Sequence, residues 1–270
     1  MLHDSPLGQT TVYVETYTPE LLFPIARAGV RHKIGITHAL PFDGVDIWNG
    51  YEISWLNLKG KPEIALGEFY IPCTSSHLVE SKSLKLYLNS LNQTHFESLE
   101  AVQKTIQEDL SQATQSSVVV HLCPLSQLKG KTLEDFSGIC LDLLDIEMNH
   151  YSYDPTLLKT NPPHVEETVY SHLLKSNCLA TGQPDWGSVY IHYAGQQINH
   201  EQLLKYIISF RRHAGFAEHC VEQIFQDLSS QCHPAQLTVY ARYTRRGGLD
   251  INPFRSNFEK HPSNLRQFRQ

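Results

Sequence analysis

From Tyr51 onward the chain alternates: Tyr51, Ile53 and Trp55 interleave with Glu52 and Ser54, the pattern of a strand with one buried face. A turn at Gly60-Lys61-Pro62-Glu63 leads to a second strand over residues 64–71. The period then changes. Within residues 79–91, Leu84, Tyr87, Leu88 and Leu91 recur at helical spacing, which places one apolar stripe against a sheet. A second helix carries Phe96, Leu99, Val102, Ile106 and Leu110, with Thr94 and Glu97 at capping-box spacing. Further strands are expected over residues 117–122 and 138–146.

The same order returns after a proline-containing linker at 150–164. A strand over 168–177, a turn at Gly182-Gln183-Pro184-Asp185 and a strand over 188–193 precede a helix capped by Asn199 and Gln202. Leu204, Ile207, Ile208 and the Arg211 stem form its stripe. The next helix carries Phe216, Cys220, Val221, Ile224 and Leu228, and the last clear strand covers 237–243. The two turns match at an offset of 122 positions, so the pattern predicts a duplication. The expected organisation is a polar, turn-rich N-terminal extension at 1–45 with a short β-like run at 11–14, a first module at 46–149 and a second at 150–270. The halves differ where chemistry is concerned. Leu56 occupies the first-half position of Cys178, and Glu80-Ser81-Lys82 has no second-half counterpart, His200-Glu201-Gln202-Leu203 standing nearby.

Charge and composition narrow the function classes. A net charge of −6, from 22 basic and 28 acidic residues, argues against broad nucleic-acid or anionic-membrane binding. The first residues lack the basic start and apolar run of a secretory signal, and no apolar stretch is long enough to span a bilayer, so a cytoplasmic protein is expected. Six scattered cysteines in a chain of this size read as free thiols. His213, His219, Cys220, Cys232 and His233 lack zinc-ligand spacing, and no metal is expected.

Candidate chemistry concentrates in residues 176–187, where a cysteine, a Gly/Pro turn and a carboxylate lie between two strands. Cys178 is a candidate nucleophile, set against the role of a packed apolar thiol. Asp185 reads as a general acid or as a turn-capping carboxylate. Arg245-Arg246-Gly247-Gly248 offers cations and close backbone approach to a phosphate, or is a solvated basic turn. No Gly-x-Gly-x-x-Gly follows a strand, which excludes a Rossmann-type dinucleotide site.

Three segments together carry a resemblance: Glu80-Ser81-Lys82-Ser83-Leu84-Lys85-Leu86-Tyr87, the run from Cys178 through Thr181-Gly182-Gln183-Pro184-Asp185-Trp186-Gly187, and Tyr243-Thr244-Arg245-Arg246-Gly247-Gly248-Leu249-Asp250-Ile251-Asn252-Pro253. In these the chain resembles the NADPH-dependent 7-cyano-7-deazaguanine reductases (QueF), in their long two-module form. The resemblance implies an α+β protein of tandem tunnelling-fold (T-fold) modules, antiparallel sheets each backed by a helix pair, acting as a homodimer. It implies a four-electron reduction of a nitrile to a primary amine with NADPH, in queuosine biosynthesis, with the free base rather than tRNA as substrate. Cys178 would add to the nitrile to give a thioimidate, and Asp185 would supply the proton. Substrate contacts would come from Val79, Glu80, Ser81, Phe216, Ala217 and Glu218, and NADPH contacts from Ser81, Lys82, Arg246 and Gly247. One departure stands out: Ala217 occupies the place of a histidine usual in the family, His219 is expected on another helix face, and His213 or a water is left to substitute. Two rival readings are a cyclohydrolase-like member of the same fold, which stoichiometric zinc would support, and a non-catalytic deazapurine-binding protein, which would form no adduct on Cys178.

Overall fold

The structure is a computed structural model of the 270-residue chain, and it describes residues 13–128, 132–179 and 181–270. Contacts divide the chain into two units: Met1–Val30, Val45–Thr132 and Arg245–Ile251 form the first, and Arg31–Gly44, Leu133–Thr244 and Asn252–Gln270 the second. These limits differ from the expected 1–45, 46–149 and 150–270. The described residues 13–45 are shared between the two units. Strand β1 (Pro24–Ala26) belongs to the first unit, and the short helix α1 (Ala28–Lys33) runs into the second, which begins at Arg31. There the Arg31 guanidinium grips the buried Glu222 through both Nε and Nη2, at 2.9 and 2.7 Å. Of the expected run at 11–14, residues 11 and 12 lie outside the described residues and Tyr13 and Val14 are not strand.

The first unit is built on β2 (Asp43–Leu56) and β3 (Pro62–Pro72), an antiparallel pair running from Val45 with Pro72 to Leu56 with Pro62, its register shifting between Gly50 and Ile53. Strand β4 (His77–Val79) pairs with β1. Helices α2 (Ser81–Ser90) and α3 (Leu99–Thr114) follow, and β5 (Val119–Pro124) returns antiparallel to β3. Trp48, Ile53, Trp55, Phe69, Leu84, Tyr87, Val102 and Ile106 close one core between sheet and helices. Each such side chain taken from water stabilises the fold by about 1.5–3 kcal/mol. The Thr94/Glu97 capping box is not formed. Ser98 caps α3 instead, its hydroxyl accepting the Ala101 N–H, while His95 forms a parallel bridge to Leu56.

In the second unit, β6 (Ile139–Cys140) is all that forms of the strand expected at 138–146; the chain then turns through Leu141–Leu143. Asp142 from that turn accepts the Ser171 hydroxyl and the His172 N–H, satisfying the edge of β7. Strand β7 (Thr160–Asn177) starts within the expected linker and pairs antiparallel with β8 (Pro184–Ile198). Helices α4 (His200–Ser209) and α5 (Ala217–Cys232) precede β9 (Gln236–Tyr243), which lies against β8. A last strand, β10 (Leu249–Ser256), pairs through Phe254 to Ser256 with β9 and was not anticipated by the pattern.

The duplication is visible in detail. Both first helices have 10 residues and both second helices 16. Both second helices end in a left-handed residue, Gln115 at φ 53° and His233 at φ 49°. In the first unit the hydroxyls of Tyr87 and Tyr17 donate to Asp109 at 2.6 and 2.8 Å. In the second, Tyr206 and Tyr153 donate to Asp227 at 2.5 and 2.8 Å. The antiparallel sheets backed by helix pairs are those the resemblance implied. No helix among the described residues is long and apolar enough to cross a membrane.

Candidate active site

The last pairs of the β7/β8 hairpin are Ser176 with Asp185 and Asn177 with Pro184. Cys178 begins the turn, its N–H donating to the Gln183 carbonyl at 2.8 Å and its own carbonyl accepting from Gly182 N–H at 3.0 Å. Gly182 takes φ +67°, a left-handed conformation that suits glycine. The thiol is thus carried on a closed loop, partly exposed and without a disulfide partner. Cross-strand neighbours project to one face of a hairpin, so Ser176 and Asp185 share a face and Lys175 and Trp186 share the other.

A second segment is bonded to the end of β7. Asn177 N–H donates to the His213 carbonyl at 2.8 Å, and Gly215 N–H to the Asn177 carbonyl at 3.1 Å. This parallel bridge brings the start of α5 beside the Cys178 turn, with Phe216 at its N-cap and Ala217 and Glu218 in its first turn. Glu218 is buried, at 1% exposure, rather than the solvated helix-start acid that composition alone suggests. His219 is buried as well and packs edge-on against Phe216, with ring centroids 5.4 Å apart. His213 packs against Tyr153 and Phe210, and burial holds its imidazole below the ordinary value.

One residue of this neighbourhood was hidden in the helix pattern. Cys220, fully buried on α5, lies by the hydroxyls of Ser176 and Tyr243 and feels the charges of Asp185 and Glu218. Burial pushes its thiol up to about 12, against the lowering effect of hydrogen bonds with Ser176 and Tyr243 and with a smaller addition from the two carboxylates. The charges of Asp185 and Glu218 therefore act on one sulfur. The Ser176 and Tyr243 hydroxyls have no nitrogen or oxygen partner among the described residues. Arg269 braces the same strands: its Nη2 donates to the carbonyls of His172 and Gly187 at 3.0 Å each and to the Ser188 hydroxyl at 2.9 Å. The β7 register shifts between Ser171 and Leu174, and the guanidinium satisfies groups that the bulge leaves unpaired in the ladder.

The other expected residues lie in the first unit. Val79 ends β4 in the core, at 1% exposure. Glu80 is fully enclosed and caps α2: one carboxylate oxygen accepts Lys82 N–H and the other Ser83 N–H, each at 2.8 Å. Ser81 and Lys82 form the first turn of α2 and are partly exposed. The basic turn is closed by Arg246 N–H to the Leu249 carbonyl at 2.8 Å, with Gly247 at φ +58° and Gly248 at φ +79°. A Cβ on Gly247 would stand 3.0 Å from Lys85 Cε and 3.3 Å from its Nζ, so the missing side chain is what admits Lys85 to the turn. Lys85 had a signal, being three residues after Lys82 on the same face of α2. Arg245 lies over the Tyr51 ring at 4.5 Å, and the Tyr51 hydroxyl donates to Asp250 at 2.6 Å.

Chemically, the hairpin offers a thiol for covalent addition and a carboxylate for proton transfer, and α5 adds a buried acceptor. Glycines and cations in the first unit suit a phosphate. No group of side chains among the described residues has the makings of a metal site.

Comparison with known proteins bears on these features. Residues 13–122 match the family described as nitrile reductase, 7-cyano-7-deazaguanine-reductase N-term, and residues 184–262 match the family of QueF-like proteins. The NADPH-dependent 7-cyano-7-deazaguanine reductase of Paraburkholderia phymatum is 56% identical over 269 residues, covering 98% of each chain. The enzyme of the same name from Burkholderia lata is 55% identical over 269 residues, again with 98% of each covered. A crystal structure of the archaeosine synthase QueF-Like in the apo form overlaps 37% of this chain and 99% of its own, at a TM-score of 0.32 and 14% identity. With family matches in both halves and relatives of this identity along its length, the chain belongs to the NADPH-dependent 7-cyano-7-deazaguanine reductase family.

Proposed function

We infer that this protein reduces the nitrile of 7-cyano-7-deazaguanine to the primary amine of 7-aminomethyl-7-deazaguanine, with NADPH as reductant, within queuosine biosynthesis. The observation that carries the reading is the hairpin itself: Cys178 on a closed turn, Asp185 opposite Ser176, and the start of α5 bonded alongside at Asn177, in a chain 56% identical to a reductase of that name.

A nitrile carbon accepts hydride poorly, so the reaction begins with Cys178. Its S–H proton passes to the Asp185 carboxylate, its sulfur forms a bond to the nitrile carbon, the carbon–nitrogen triple bond becomes a double bond, and the nitrogen takes that proton from Asp185. The resulting thioimidate is an activated acceptor. When bound, NADPH supplies hydride, and two equivalents account for the four electrons. Cys178 leaves as the carbon–sulfur bond breaks after the first reduction, and Asp185 returns protons to the nitrogen. Glu218 accepts the N–H groups of the base through charge-assisted bonds, with Phe216 stacking on the ring. Ala217 contributes only a methyl group, so the usual histidine's task falls to His213, whose carbonyl accepts the Asn177 N–H, or to a water.

For NADPH, Ser81, Lys82, Arg246 and Gly247 are the residues assigned, and the turn fits: a glycine that a Cβ would crowd lies under a lysine ammonium. Val79, Glu80 and Ser81 complete the set assigned to the base. Since Glu80 is enclosed and spent on capping, its part is to hold the first turn of α2. The reading includes a cytoplasmic homodimer that binds neither nucleic acid nor membrane. Purified protein mixed with NADPH and the nitrile should lose the absorbance of reduced nicotinamide; no loss under any tested pH would refute the activity.

A further inference from the structure

The segment from Asn264 to Gln270 belongs to the second unit, and within it Phe268 is 80% exposed whereas Gln267 and Gln270 keep only 4% and 7%. Its buried side chains are polar, and a polar group is buried without penalty only where partners meet it. Gln270 has every position of its amide in use. The Oε1 atom accepts the Arg242 Nε–H at 2.8 Å, and Nε2 donates to the Tyr243 carbonyl at 3.0 Å and to Asn252 Oδ1 at 2.7 Å. Reversing the amide would set its nitrogen against the guanidinium, so one orientation is fixed. Arg242 donates in turn from Nη1 to Asn264 Oδ1 at 2.9 Å, and Arg266 holds the Gln270 carbonyl through Nε and Nη2 at 3.2 and 3.1 Å.

The carbonyls taken by Arg269 and Gln270 are those of one cross-strand pair. Gly187 of β8 stands opposite Tyr243 of β9; Arg269 Nη2 donates to the first and Gln270 Nε2 to the second. Both lie where the ladder thins, since the pairing of β10 with β9 covers Phe254 to Ser256 and the β7 register shifts between Ser171 and Leu174. The Tyr243 ring covers Gly187: a Cβ there would stand 3.2 Å from its Cδ1 and 3.3 Å from its Cε1. The Tyr243 hydroxyl lies by the Cys220 thiol, as does the hydroxyl of Ser176, the cross-strand partner of Asp185. Thr244 N–H donates to the Trp186 carbonyl at 2.8 Å. Asp185 is thus framed by Ser176 across the hairpin and by Trp186 and Gly187 after it, and these two are tied to Thr244 and Tyr243.

We propose that Arg269 and Gln270 are positioning residues for the reaction: they fix the Gly187–Tyr243 pair, and through it the place of the Asp185 carboxylate relative to the Cys178 sulfur. The inference rests on the functional reading above, in which Asp185 carries the proton from the thiol to the nitrile nitrogen. Proton transfer needs hydrogen-bond reach, about 2.6–3.2 Å between heavy atoms, so a displacement of ~1 Å at the end of β8 removes it. Cys178 and the start of α5 keep their own bonds, to Gln183, Gly182 and Asn177, so binding of the base is left in place.

The test is a double-mutant cycle on the full chain, with adduct formation from 7-cyano-7-deazaguanine followed over time by intact mass in the absence of NADPH. Gln270→Ala and Arg269→Ala should each slow it about tenfold or more, and should slow it no further in an Asp185→Asn background, where the group they position is gone. In steady-state turnover the loss should fall on kcat, with KM for the nitrile moving less than about twofold. If Arg269→Ala does not fold, as circular dichroism would show, Gln270→Ala and Gln270→Glu carry the same cycle; the latter keeps the acceptor for Arg242 and loses the donor to Tyr243. Equal fold-losses with and without Asp185, a KM rise that accounts for the whole loss, or wild-type rates in the folded variants would each overturn the proposal. A wild type that forms no adduct and oxidises no NADPH with the nitrile would refute the functional reading and the positioning role with it.

Discussion

Two cysteines lie near the end of β7, and their surroundings give them different work. Cys220 is fully buried, and a thiol pushed up to about 12 stays protonated at neutral pH. Cys178, partly exposed on the hairpin turn, is the one of the two that a reagent reaches. Iodoacetamide should therefore label Cys178 before Cys220, the nitrile substrate should protect it, and Cys220 should react only on unfolding; peptide mapping decides. Substituting Asp185 by Asn should lower kcat by roughly 10²–10⁴, the usual span for a positioned proton donor, with the fold retained. Cys178 and Asp185 were legible in sequence because Gly182 and Pro184 mark the hairpin that joins them. Cys220 was not, because its place in the α5 stripe is equally that of a core residue, and only the register of Ser176 with Asp185 reveals what it packs against.

At the scale of elements, polar side chains decide where strands and helices begin. Glu80 satisfies two amides at the start of α2, so Glu80→Ala should cost at least the ~1–2 kcal/mol of a lost cap, read from urea unfolding of the variant. The helix stripes were readable from period alone; the start of α3 was not, because Ser98 competes with Thr94 for the cap and the bridge from His95 to Leu56 settles it. Strand β10 escaped the pattern for a related reason. Its buried positions include Asp250, Asn252 and Arg255, which Asn49 and Tyr51, Gln270, and Glu222 respectively meet. Arg269 works in the same way at the β7 bulge, and Arg269→Ala should destabilise the second unit, seen as faster amide exchange at residues 172–173 and 187–188. His213 adds a pH dependence. Its folded value is depressed, so its contribution is fully present above the unfolded value of about 6.5 and is lost as pH falls below that. Urea midpoints measured between pH 7.5 and 5.5 should fall with acid in the wild type and fall less in His213→Phe.

Across the whole molecule, the duplication distributes the family's residues between two units of like design. Cys178, Asp185, Phe216, Ala217 and Glu218 belong to the second, and Val79, Glu80, Ser81, Lys82, Arg246 and Gly247 to the first. The matched turns and helix lengths made the repeat visible in sequence, and the paired Tyr–Asp hydrogen bonds at Asp109 and Asp227 extend it into the core. The unit limits were less visible, because residues 31–44 are fixed by the burial of Arg31 on Glu222, a contact separated by 191 positions. With thiol and carboxylate chemistry proposed, exhaustive dialysis against a chelator should leave turnover unchanged, whereas a cyclohydrolase-like enzyme would lose it. The central claim is that Cys178 bonds covalently to the nitrile carbon. Intact-mass spectrometry of the protein incubated with 7-cyano-7-deazaguanine and no NADPH tests it most directly. The wild type should gain the mass of one substrate molecule and lose it on addition of NADPH, and Cys178→Ala should gain nothing; an unmodified wild type that still turns over, or an adduct that persists in Cys178→Ala, would contradict the account.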